Sequence, residues 1–264
     1  MTMPLVEQSD NSFKQSALNA NNKTLKSEGI KKPKTSEMNP GPGFRIRTNG
    51  ALPPQEVVDG FHEFPTPDIS DIMNRLYTMV PEIRNLTSPN LKLIGPACTV
   101  RVFPGDNLMV HKALDIAKPG EIIVVDAGAS PMNAVLGDLV ATKARHRGIA
   151  GFVVDGLVRD IEGILELNIP VFARGITPIG PLHRGPGEVN YPIQCGGIVV
   201  NSGDIVIGDM NGVVIVPKEV AENILQQLRT RRQGEANYLA AVKRGEFSNE
   251  WVDKLLSESG CSLG

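Results

Sequence analysis

A mixed α/β domain behind a polar tail is what this sequence predicts, and three observations predict it. Helix-period and strand-period segments alternate from about residue 66 to residue 175, which is the signature of α/β architecture. Residues 176–216 then switch to short β runs broken by Gly and Pro. The chain of 264 residues is 41% hydrophobic, enough to bury a sizeable core, and no internal repeat divides it.

Taken in order, the first forty residues are crowded with Asn, Ser, Lys and Gln, and Phe13 is their only aromatic. Such a composition buries too little apolar surface to offset chain entropy, so residues 1–50 read as a disordered tail and 51–264 as one domain. Acidic residues at 7, 10, 28 and 37, and the lack of Arg before Arg45, fit a transit peptide poorly. TPDISDIMNRLY offers Thr66 as an N-cap with Pro67 at the first helical position. GPACTVRV (95–102) reads as a strand, 105–120 as a helix stopped by Pro119-Gly120, and EIIVVDAG (121–128) as a buried strand. A loop (129–136), a helix (138–147), a strand (149–156), a helix (160–168) and a strand (170–175) follow. GIVVNSGD, IVIGD and GVVIVP read as antiparallel strands with turns at Ser202-Gly203 and Asn211-Gly212. Pro217 opens a helical region, and a second short helix lies around NEWVDKLLSES.

Charge and cysteine usage exclude several functions. The formal net charge of −2 divides into +4 on residues 1–50 and −6 on the rest. With a pI of about 6.1 there is no support for binding nucleic acid or a membrane surface by bulk electrostatics. Cys98, Cys195 and Cys261 are odd in number and far apart, so they build neither a disulfide framework nor a zinc ribbon. Cys98 and Cys195 sit in apolar strand-like surroundings and read as core thiols. No apolar run approaches the roughly 20 residues of a membrane span, and MTMPLVEQSD lacks a secretory pattern, so a cytoplasmic location is expected.

The chemistry concentrates in LGDLV (136–140) and LVRD (157–160), with 20 residues between Asp138 and Arg159. Both fall in turns that lead from strand to helix. If the strands are parallel neighbours, both turns open at the carboxyl edge of the sheet, where α/β proteins gather ligands. Gly137 permits close backbone approach, and the amides of Asp138, Leu139 and Val140 are the unpaired donors of a new helix, suited to a carboxylate. Arg159 adds a planar bidentate contact to the same anion or to an enolate. Asp160 is a hard oxygen ligand of the kind Mg²⁺ prefers, and Asp138 suits a water held by such an ion. On residue types alone the commoner alternative stands beside this one: two carboxylates answering helix dipoles and an ordinary surface pair.

The ordered series GPACTV, GDN, IIVVDAG, GDL with its spacer to RD, GGIVVNSGD and IVIGDMNGVVIVP resembles the RraA-like family over roughly residues 55–256. That family includes the regulator of ribonuclease E activity A and the 4-hydroxy-4-methyl-2-oxoglutarate aldolases. The resemblance implies a mixed α/β sandwich like the swivelling phosphohistidine domain, with C-terminal helices, assembled as a homotrimer or homohexamer. It implies a metal-dependent (class II) lyase that releases pyruvate from a 4-hydroxy-2-oxo acid and decarboxylates oxaloacetate. It also implies roles: Gly137, Asp138, Leu139 and Val140 on the substrate carboxylate, Arg159 on the 2-oxo group and enolate, and Asp160 on Mg²⁺ or Mn²⁺. Asp138 would steady a water on the ion, and Glu235 is the candidate for an acidic group reaching a neighbouring subunit's site. The rival is a non-catalytic regulator that binds another protein, such as an RNA-degrading enzyme.

Other signals are weaker. VVDAGAS (124–130) lacks the repeated glycines of a methyltransferase loop, and GDMNG (208–212) reads as a hairpin turn, not a calcium loop. His62, His111, His146 and His183 are scattered, without HExxH spacing. His183 lies in a Gly/Pro-rich loop, PLHRGPGEVN, that could line a substrate pocket beside Arg184, although an exposed loop histidine is more often merely solvated. Lys143, beside Arg145 and His146, reads as part of a solvated helix face.

Overall fold

The computed structural model describes residues 38–48 and 50–262, without the side chains of Gln233, Glu235 and Ala236. Strand β3 (Leu93–Val102) is its spine. It pairs in parallel with β4 (Ile122–Asp126), which pairs in parallel with β6 (Gly151–Val158), which pairs in parallel with β7 (Val171–Ile176). A short β5 (Ala134–Leu136) runs parallel to the last residues of β6. β2 (Arg84–Asn85) closes the β7 edge in antiparallel sense, and β8 (Gly187–Val189) joins the far end of β3. The first half of β3 instead takes β11 (Ile205–Asp209), which forms a hairpin with β12 (Gly212–Val216). Among the described residues ten strands form one mixed sheet, and a separate hairpin joins β9 (Ile193–Cys195) to β10 (Ile198–Val200).

β4 shows why its run is apolar throughout. Ile123 and Val125 face one side, packing with Met109, Val110 and Ala113 of α3 (Leu108–Ile116) and Ala141 and Ala144 of α4 (Asp138–His146). Ile122 and Val124 face the other, against Phe172, Cys195, Val206 and Ile215. With both faces covered, the alternation of a half-exposed strand disappears. A third cluster packs α1 (Gln55–Gly60), the 3₁₀ turn Phe61–Glu63, α2 (Thr66–Ile72) and the start of α6 (Ala221–Lys243) onto the β11–β12 hairpin. Cys98 and Cys195 are core thiols, as their surroundings imply, and burial pushes both pKa values up. The helices α5 (Ile161–Glu166) and α7 (Glu250–Glu258) complete those among the described residues. None of the described helices is long and apolar enough to cross a membrane.

Four expectations change. The expected tail of residues 1–50 ends earlier, because β1 (Phe44–Ile46) pairs in parallel with β8. Arg45 bonds the buried Glu188 at 2.5 Å and lies over the Tyr191 ring, so polar residues here are fixed by partners far along the chain. Residues 1–37 lie outside the described residues. The helix expected over 66–77 stops at Ile72: Asn74 and Arg75 take left-handed backbone, and the chain then runs against β12, with Met79 donating to Val213 and Ile215 to Tyr77. Thr66 is not a side-chain cap. Its amide and hydroxyl both donate to Asp209, at 2.8 and 2.7 Å. Finally, the turn at Ser202-Gly203 does not join paired strands. β10 pairs with β9, and β11 is taken by β3, with Gly203 donating to Ala97 and Ala97 to Asp204.

Candidate functional site

β5 and β6 end side by side and in the same direction, so the turns that follow open at one sheet edge. Ala134 is opposite Leu157, Leu136 is opposite Val158, and the Arg159 amide continues the pairing by donating to Leu136 at 3.0 Å. The turn after β5 becomes α4 and the turn after β6 becomes α5. A stretch read as a loop thus carries the strand that positions Asp138.

The two turns touch through glycine. Gly137 precedes α4 in extended backbone, and a Cβ there would lie 2.4 Å from Asp160 Oδ2 and 3.0 Å from Arg159 Cγ. Gly163 of α5 does the same in the other direction, since a Cβ would lie 2.9 Å from that of Asp138. The close approach allowed by Gly137 is therefore to the side chains of the second turn. Asp160 itself has left-handed backbone (φ 53°), an uncommon conformation for a residue with a side chain. Its Oδ2 is 3.1 Å from Arg159 Nε.

Gly137, Asp138, Leu139, Val140, Arg159 and Asp160 line one cavity of about 370 Å³, the juxtaposition that the spacing of the motifs anticipates. The first turn of α4 has no preceding carbonyls of its own to occupy its amides. The Leu139 amide, however, is held at 2.6 Å by the carboxylate of Asp138, which leaves the amides of Asp138 and Val140 without a partner among the described residues.

The opposite wall comes from residues distant in sequence. Asn107, His111, Lys143, Gly180, Pro181 and His183 also line the cavity. Lys143 is exposed, as the reading of a solvated helix face expects, and it also lines the cavity from α4. His183 is exposed, as a loop histidine should be, yet its Nδ1 lies 2.6 Å from Asn107 Oδ1 and its ring is 5.6 Å edge-on from His111. Burial, with Lys143 and His183 close by, pulls the His111 imidazole below its usual pKa. The segment carrying His183 is strapped down: Ile179 accepts from Ala134, Gly180 from Asn133, and Leu182 from Asn107, while Leu182 donates to Gly105. Buried Asp106 takes the Arg184 amide at 2.5 Å and the Leu108 amide at 2.8 Å. GDN was the available signal for this wall, but nothing in it names a partner 76 residues away.

Glu235 lies in α6, but its side chain is outside the described residues. Among the described residues no three His, Cys, Asp or Glu side chains come together to hold a metal unaided. Asp160 and Asp138 offer hard carboxylate oxygens, donors of the kind taken by a divalent ion that keeps most of its waters.

The sequence profile of the RraA-like family (Aldolase/RraA) matches residues 66–215. The chain belongs to that family. A Halalkalibacterium halodurans protein provisionally named 4-hydroxy-4-methyl-2-oxoglutarate aldolase is 42% identical over 177 residues, covering 67% of this chain and 84% of its own length. Among solved structures, an uncharacterized protein from Pseudomonas syringae pv. tomato superposes with a TM-score of 0.68 at 28% identity, over 75% of this chain and 92% of that one. The RNA-processing inhibitor RraA from Thermus thermophilis superposes with a TM-score of 0.54 at 32% identity, over 58% of this RraA-like chain and 93% of its own.

Proposed function

We propose that this RraA-like protein is a divalent-metal-dependent lyase. Its reaction is cleavage of 4-hydroxy-4-methyl-2-oxoglutarate, or a related 4-hydroxy-2-oxo acid, to pyruvate, with oxaloacetate decarboxylation through the same pyruvate enolate. One observation carries the reading: an open helix N-terminus, a guanidinium and an exposed carboxylate line a single cavity. The name given to the 42% identical relative supports it.

The free amides of Asp138 and Val140 bind the substrate carboxylate at the positive end of α4. Arg159, braced between Gly137 and Gly180, holds the 2-oxo oxygen and stabilises the negative charge that develops on it as the enolate forms. Asp160 would hold Mg²⁺ or Mn²⁺, with Asp138 on one of its waters, and such an ion supplies electrophilic stabilisation of the 2-oxo acid. In a homotrimer or homohexamer, Glu235 of α6 would be the residue reaching an adjacent site.

The second reading is a protein-binding regulator of an RNA-degrading enzyme, and the likeness to the Thermus inhibitor favours it. Pyruvate release separates the two. It would be measured from oxaloacetate and from 4-hydroxy-4-methyl-2-oxoglutarate, with Mg²⁺, with EDTA and in Asp160→Ala. The lyase gives release that EDTA and the substitution both abolish. Release no greater than that of Mg²⁺ alone sinks the lyase and leaves the regulator.

A further inference from the structure

We propose that His183 is the base that takes the C4 hydroxyl proton in aldol cleavage, and that Asn107 fixes the tautomer that lets it do so. The proposal rests on the lyase reading and assigns the one group which that reading leaves without a residue.

The tautomer follows from three atoms. Asn107 is buried, and its amide nitrogen donates to the Val135 carbonyl at 2.9 Å, an oxygen that can only accept. That bond fixes which end of the Asn107 amide is which, so the atom 2.6 Å from His183 Nδ1 is the carbonyl oxygen. An acceptor there requires Nδ1 to carry the hydrogen. Neutral His183 therefore has its lone pair on Nε2, the nitrogen not held by Asn107. The donor–acceptor chain Val135–Asn107–His183 has the logic of a catalytic imidazole oriented by a second polar group.

Position supports the assignment. His183 lines the same cavity as Arg159 and Asp160, and the strap that carries it passes Arg159 at Gly180, where a Cβ would lie 2.7 Å from Nη1. Both neighbours of His183 are tied by backbone, Leu182 to Gly105 and Asn107, and Arg184 to Asp106. A ring presented from a strap fixed on both sides loses little freedom when substrate arrives. His111 packs edge-on to it at 5.6 Å between ring centroids, which further fixes where the His183 ring sits.

The step balances without any added reagent. The C4 O–H proton passes to Nε2, the C4–O bond becomes a carbonyl, and the C3–C4 bond breaks. Its electron pair enters the pyruvate enolate, which Arg159 stabilises. The enolate then takes a proton at C3 and the imidazolium returns its proton to solvent.

Oxaloacetate loses CO₂ to the same enolate but has no C4 hydroxyl, and this provides the test. In His183→Gln, cleavage of 4-hydroxy-4-methyl-2-oxoglutarate should fall in kcat by about a hundredfold or more, while oxaloacetate decarboxylation falls by less than about tenfold. The ¹⁵N spectrum of the neutral wild-type ring should show Nδ1 protonated and Nε2 bare, and Asn107→Ala should lose that preference. Equal losses in both reactions would make His183 a substrate-binding or structural residue and overturn the proposal, as would a protonated Nε2. Wild-type protein inactive in both reactions would overturn the lyase reading itself, an outcome distinct from either.

Discussion

Two helix N-termini in this molecule show opposite solutions to one problem. Each leaves amides without intrahelical partners and a positive dipole end. At α2 the vacancy is filled internally: Asp209, from the tip of the β11–β12 hairpin, takes the Thr66 amide and hydroxyl and also the Asn211 amide. Burial pushes the Asp209 carboxyl up, but these hydrogen bonds outweigh it and hold its pKa below the usual carboxylate value. At α4 the Asp138 carboxylate takes the amide next to it, the Asp160 carboxylate lies against Gly137, and residues 137–140 line a cavity. The first terminus is finished as structure. The second is left to a ligand, and glycine at 137 and 163 brings the adjacent turn against it.

Substitutions at the two termini should therefore separate activity from stability. The largest effect is expected at Asp160→Ala, with metal-dependent pyruvate release lost by about a thousandfold or more and the denaturation midpoint held, since the side chain is exposed. Gly137→Ala should come next, at about a hundredfold in kcat/KM. Its new Cβ displaces Asp160 and Arg159 and not the core, so circular dichroism should be unchanged. Asp209→Ala should do the reverse, costing about 2–3 kcal/mol of stability in urea titration with activity per folded molecule preserved. Arg159→Lys keeps charge but loses the planar fork, and turnover should drop by about tenfold. Smallest is the response to acid. A carboxyl held below its unfolded value contributes stability above that value, and loses the contribution as pH falls through the lower folded one. Asp209→Asn should therefore flatten the acid limb of a stability-against-pH curve, and an unchanged limb would remove Asp209 from the account.

The same contrast explains what the sequence reveals. Asp138, Arg159 and Asp160 are legible because each stands in a turn whose Gly, Asp and apolar neighbours announce a strand ending and a helix beginning. The α/β order is legible for the same reason, as periodicity is local. Pairings across the chain are not. Thr66 looks like a cap because Asp209, 143 residues later, is invisible to a local pattern. Phe44–Ile46 looks like tail because its partners are Gly187–Val189. His183 is exposed as its loop implies, but its bond to Asn107 and the tie of its strap to Asp106 give no periodic signal. Ser202-Gly203 has good turn chemistry, but chemistry of that kind does not say which strands then pair.

The most direct test of the open terminus is an amide NMR titration of the full chain with pyruvate in the presence of Mg²⁺. Saturable shifts at Asp138 and Val140, with Thr66 unmoved, are the expected result. Shifts that bypass residues 137–140, or that match in size at Thr66, would contradict the claim that α4 is the terminus kept for substrate.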